Sequence, residues 1–233
     1  MMPVQLASRL PWFWLLGPPV LVVAVLVWDR NVFAVFASYH LGFCLILPAV
    51  QNILRRRLTV SQHLAFLGIT GPGTARGLLL GLGLGAALGG GTIVIFRMFG
   101  DLLLADQNVP AVLAHWGVNQ DNLPVMFWFM ALINGPAEEL YWRGFLHRET
   151  ADQSQRRNTI LLIAACYASY HGVTVYLLVA DVPVALLFMA AIFAAGSGWG
   201  WLREKTGSVW PALLSHAGAS IGYMIVAKPL LSA

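Results

Sequence analysis

Seven apolar runs, near residues 11–28, 32–50, 77–96, 124–146, 159–179, 183–202 and 208–227, take up most of this 233-residue chain. Each is about 20 residues long, the length at which an α-helix crosses the ~30 Å hydrocarbon layer of a bilayer. A chain inside lipid must satisfy its backbone hydrogen bonds internally, which leaves helices or closed barrels. Runs of this length without strand alternation predict an all-α, polytopic transmembrane helix bundle of about seven spans, a single integral membrane domain over 1–233. The composition agrees. Only 10% of residues are charged, whereas about a quarter are in an ordinary soluble domain.

The placement of the charges orients the bundle. With odd-numbered spans running outward, Arg9, Arg55, Arg56, Arg57, Arg76, Arg148, Arg156, Arg157, Arg203 and Lys205 gather on one side. The other side receives Arg30, Arg97 and Lys228 with Asp29, Asp101, Asp106, Asp121 and Asp181. The positive-inside rule makes the first side, and the N-terminus, cytoplasmic. It also accounts for the net charge of +4 without a nucleic-acid partner. Pro11 to Trp28 shows no small-x-small cleavage site, so it reads as a retained span and not a signal peptide. With short loops, this points to a bacterial inner (plasma) membrane. The third run is rich in glycine (Gly81, Gly83, Gly85, Gly89, Gly90, Gly91) and is expected to pack closely on a neighbour. Between 98 and 123, Leu102, Leu103, Leu104, Val109, Val112, Leu113 and Trp116 suggest a short interfacial helix interrupted at Pro110. Cys44 and Cys166 read as buried free thiols.

Ionisable groups inside a bilayer are costly, so each needs a partner or a function. They concentrate in three of the runs. In the fourth, Asn134-Gly-Pro-Ala-Glu138-Glu139-Leu-Tyr-Trp-Arg143 puts Glu139 and Arg143 four apart, the favourable order for a helical ion pair. Glu138 points about 100° away around the helix and needs a different partner. A carboxylate held there is a candidate general base. The fifth run holds Tyr167 and His171, and the seventh holds Ser215, His216 and Ser220. At 1.5 Å per residue, Glu138 lies roughly 14 Å, His171 roughly 20 Å and His216 roughly 12–15 Å from the cytoplasmic face. Three costly groups then meet in one layer. His40, His63 and His115 lack such company and read as structural or solvated. No His-Glu-x-x-His occurs, which argues against a zincin.

These residues resemble the CAAX prenyl protease and bacteriocin-processing (CPBP) family, also described as Abi-type or glutamic-type intramembrane proteases. The first motif, Glu-Glu-x-x-x-Arg, is Glu138, Glu139 and Arg143, within Pro136-Ala-Glu-Glu-Leu-Tyr-Trp-Arg-Gly-Phe-Leu146. The second, Phe-x-x-x-His, is Tyr167 to His171 with Tyr in place of Phe. The third, His-x-x-x-Asn or Asp, is His216 with Ser220 in the polar position. The resemblance covers about 124–225, so 124–227 is the CPBP-like catalytic core and 1–123 the variable N-terminal helices.

The resemblance implies endopeptidase chemistry in the membrane. Glu138 would activate water, His171 and His216 would orient it or stabilise the oxyanion, and Glu139 with Arg143 would hold the helix. Glu138, His171 and His216 would also make a three-ligand zinc set with an open position, and the residue types fit both schemes. Tyr167 keeps the ring of the expected Phe. Ser220 reaches less far than Asn or Asp, and Asn134, one turn before Glu138, is the substitute donor. The expected substrate is a membrane-anchored protein or peptide in the lipid bilayer. The competing reading is a non-catalytic family member acting as a scaffold for other membrane proteins.

Overall fold

In a computed structural model, residues 12–103, 109–150, 156–179 and 181–232 are described. Every apolar run is helical. We label the helices α1 (Trp12–Asp29), α2 (Val32–Arg55), α3 (Val60–Leu67), α4 (Thr74–Leu103), α5 (Val109–His115), α6 (123–149), α7 (Arg156–Leu178), α8 (Val182–Thr206) and α9 (Trp210–Ser232). Five helices are long and apolar enough to cross a membrane: Trp12–Asp29, Val32–Arg55, Thr74–Gly100, Arg156–Leu178 and Val182–Thr206. Helix α6 carries Glu138, Glu139 and Arg143 along its inner stretch.

Local sequence sets the helix ends. Asn31 caps α2 by accepting from the Phe33 and Ala34 amides. Thr59 and Gln62 form a reciprocal capping box at the start of α3, which satisfies two amides that the first turn would leave open. Asp181 caps α8 through the Val184 amide at 2.9 Å. Gly207, at φ 69°, ends α8 in the left-handed conformation that glycine adopts at little steric cost.

Helix α6 is the centre of the bundle. Tyr141, Trp142, Phe145 and Leu146 are fully buried, so this stretch of α6 turns every side to the protein interior. Its polar atoms are used to bind its neighbours. Trp142 Nε1 donates to Tyr39 Oη on α2 at 2.9 Å, and Tyr141 Oη donates to the Trp14 carbonyl of α1. The carbonyl of Arg143 accepts from Arg203 Nε of α8 at 3.0 Å. Residues Met130–Asn134 and Leu140–Leu146 of α6, and Phe36–Ile46 of α2, are wound with the wider π-helical repeat. Such stretches occur disproportionately at functional sites.

The glycines of α4 form the closest helix seam. A Cβ on Gly81 would lie 2.5 Å from the Trp210 carbonyl oxygen, one on Gly85 2.6 Å from that of Leu214, and one on Gly89 2.7 Å from that of Gly218. From the other side, a Cβ on Gly222 would lie 2.5 Å from the Gly89 oxygen. Without hydrophobic attraction between helices in lipid, such backbone approach is a main source of association. Gly83, Gly90 and Gly91 have no neighbour there, so the close packing expected of the run belongs to one face of it.

Between 98 and 123 the structure differs from the expectation. Residues 102 and 103 continue α4, and Leu104 lies outside the described residues. Pro110 does not interrupt a helix; it is the second residue of α5, where a missing amide costs nothing. Leu113 and Trp116 are buried, so α5 turns its apolar face into the bundle. Cys44 and Cys166 are free and buried, as expected.

Gly218→Leu is expected to cost ~1–3 kcal/mol or more through overpacking and to lower the melting temperature of the purified protein by several degrees. Gly83→Leu, on the open face of the same seam helix, is expected to leave it nearly unchanged. A fluorescence-detected thermal melt in detergent compares the two.

Candidate active site

The costly residues of the fourth, fifth and seventh apolar runs come together. Glu138, Asn134, His171, His216 and Ser220 line one cavity of about 380 Å³. Glu138 and Glu139, adjacent in sequence, face different partners, as their separation around α6 predicts.

Glu139 is the anchor. Its Oε1 accepts from Arg143 Nη1 at 2.9 Å, with both side chains essentially unexposed. The same oxygen lies 3.0 Å from His216 Nδ1, which ties α6 to α9. The guanidinium of Arg143 sits over the Tyr167 ring at 4.3 Å and near that of Trp199 at 5.3 Å. Tyr167 therefore serves Arg143 through its ring, the part it shares with Phe, and a cation on an aromatic face gains ~0.5–2 kcal/mol. Gly196 gives the guanidinium its space: a Cβ there would lie 2.7 Å from Arg143 Nη2.

The two expected histidines are held by their Nδ1 atoms. His171 Nδ1 is 3.0 Å from the Tyr167 carbonyl. A carbonyl only accepts, so Nδ1 carries the proton and Nε2 keeps its lone pair. His216 stacks on Trp199, ring centres 4.8 Å apart and planes 16° off parallel. With Nδ1 donating to Glu139, its Nε2 is left as an acceptor, 3.9 Å from Glu138 Oε2. The bond at one imidazole nitrogen fixes what the other can do.

His40 requires a correction. It is neither solvated nor remote: its ring is buried and its Nε2 lies 3.1 Å from Glu138 Oε1. This is the partner that Glu138 lacked in the sequence. Glu138 Oε2 has no hydrogen-bond partner among the described residues. His63 is structural, bonded to Asn52 Nδ2 at 3.1 Å, and His115 is exposed. Among the described residues no group of three His, Cys, Asp or Glu side chains is placed to hold a metal ion.

Away from the polar cluster the cavity is apolar, lined by Val35, Leu113, Trp116, Met126, Val175 and Val226 among others. Val35 lies at the start of α2, while Val175 and Val226 lie late in α7 and α9. The opposite ends of the same helices carry Arg55, Arg156 and the 203–211 turn, where Arg56 pairs with Glu149 and Glu204 with His147 and Arg156. The cavity thus runs from Glu138 away from the arginine-rich end of the bundle.

No curated protein and no solved structure matches the chain. A protein-family model does, over residues 120–222, and it is described as Rce1-like, type II CAAX prenyl endopeptidase Rce1-like. The matched stretch holds Glu138, Glu139, Arg143, Tyr167, His171, His216 and Ser220; His40 lies outside it. Over this stretch, which carries the three motifs, the chain is similar to the Rce1-like family.

Proposed function

We propose that this protein is an intramembrane endopeptidase that cleaves a membrane-anchored protein or peptide with a water activated by Glu138. One observation carries the reading. A buried carboxylate with one oxygen unpartnered faces a cavity shared with two histidines whose Nε2 atoms are bare. A general base must reach the proton it removes, and the unpartnered Oε2 of Glu138 supports that role.

In this reading Oε2 takes a proton from water as the water oxygen bonds to the scissile carbonyl carbon. The resulting oxyanion is met by donors on the cavity wall, Asn134 and Ser220. The proton on Glu138, directly or through His216 Nε2, passes to the departing amine as the carbon–nitrogen bond breaks. His171 Nε2 orients the water or the oxyanion. Glu139 and Arg143 hold α6 so that Glu138 keeps its place. The apolar stretch of the cavity takes the anchor of the substrate, with a prenylated tail favoured by the family match and a bacteriocin leader or sorting anchor as alternatives.

The reading includes seven spans with the N-terminus cytoplasmic, supported by the arginines at one end of the bundle, and a bacterial inner membrane, favoured by short connections. The anchor then points toward the outer half of the bilayer. A non-catalytic scaffold has only Ser220 in its favour.

Three variants test this with the purified chain and a farnesylated peptide. Glu138→Gln is expected to lower kcat by at least ~10³-fold, within the range for lost general-base catalysis, with an unchanged melting temperature. Arg143→Met should instead fail in folding, since removing one partner of a buried pair costs ~3–5 kcal/mol. Val175→Trp, which fills the apolar stretch, should lower kcat/KM for the farnesylated peptide by about tenfold or more, a loss of ~1.4 kcal/mol. It should have little effect on the unmodified peptide.

A further inference from the structure

We infer that His40, from the second helix and outside the family-matched stretch, is a positioning residue of the reaction centre: it holds one oxygen of Glu138 and leaves the other as the base. This rests on the proteolytic reading above.

The contact is a built one. Nε2 of His40 and Oε1 of Glu138 are 3.1 Å apart, and their side chains are 5% and 2% exposed. The ring is fixed by edge contacts with Phe36, Tyr39 and Phe129, at 5.7, 4.7 and 5.5 Å between centres. Phe36 and Phe129 themselves stack at 4.0 Å, and the Tyr39–Trp142 bond lies one residue away from His40. The register of α2 on α6 is therefore set on both sides of the histidine.

Packing alone does not account for a histidine here. Its Nδ1 is buried with no hydrogen-bond partner among the described residues. A phenylalanine would fill the space without that loss, since an unmet buried polar atom costs ~1–3 kcal/mol. What histidine adds is the Nε2 contact to Glu138. A carboxylate free to rotate would present either oxygen to the cavity. With Oε1 taken by His40, Oε2 alone faces His216 Nε2, 3.9 Å away. This is the logic of a base oriented by a third group.

The experiment compares His40→Phe, His40→Gln and Tyr39→Phe in the purified full chain, with a farnesylated peptide carrying a fluorophore and quencher across its tail. Glutamine keeps an N–H near the Nε2 position, phenylalanine keeps only the shape, and Tyr39→Phe breaks the neighbouring interhelix bond without touching Glu138. His40→Phe should lower kcat by about 10–100-fold, the usual cost of losing an orienting partner, with KM within about twofold. His40→Gln should recover most of that loss, and Tyr39→Phe should keep kcat near wild type. Wild-type kcat in His40→Phe, or equal losses in the Phe and Gln variants, would overturn the inference.

A second measurement needs no cleavage. In ¹⁵N-histidine-labelled protein, the His40 Nε2 resonance, assigned by its loss in His40→Gln, should move on Glu138→Gln. An unmoved resonance would overturn the contact. If wild type leaves the peptide intact while the resonance moves, the contact stands and the choice of prenylated substrate fails instead.

Discussion

Glu139 and Arg143 form an ion pair with almost no exposure in the middle of the bundle, and the arrangement of the site depends on it. A charge buried without a partner is among the most costly features a fold can hold. Here one carboxylate oxygen answers both Arg143 and His216. The guanidinium in turn rests on Tyr167 of α7 and Trp199 of α8. A single pair thereby fixes four helices, α6 to α9, around the cavity. Glu138, the neighbouring acidic residue, takes no part in that pair.

That division of labour separates two adjacent glutamates by environment. Glu139 is enclosed by charge and aromatic faces and serves structure. Glu138, about 100° around the helix, meets His40 on one oxygen, and its other oxygen is buried without a hydrogen-bond partner among the described residues. His171 and His216 each spend Nδ1 on the protein, on a carbonyl and on Glu139, and each keeps Nε2 free. A cluster whose outward atoms are a carboxylate oxygen and two imidazole nitrogens can take and return protons, which is the work that peptide hydrolysis requires.

Much of this was legible in the residues. The apolar runs marked each long helix, though α2, α4 and α9 continue beyond them to Arg55, Leu103 and Ser232, because long runs that exclude charge have few alternatives to a helix in lipid. The Glu139–Arg143 pair followed from spacing alone. Tyr167, His171 and His216 followed from motifs and from a common depth. His40 was missed, since a lone histidine in an apolar run carries no motif. Yet it lies ten residues before the end of the run at 50, or ~15 Å from the arginine-bearing face, the same layer as Glu138. The direction of the cavity was not legible, for it depends on how the helix ends splay. The inward turn of α5 was hidden too, because Leu113 and Trp116 suit a lipid interface and a cavity wall equally well.

The most direct test of the account follows bond cleavage in membranes. A lipid-anchored candidate substrate is coexpressed with the wild-type chain or with Glu138→Gln, and its fragments are identified by mass spectrometry. The account predicts a new terminus at one bond near the anchor with wild type and none with the variant, at equal protein levels. The same fragment from Glu138→Gln would contradict it.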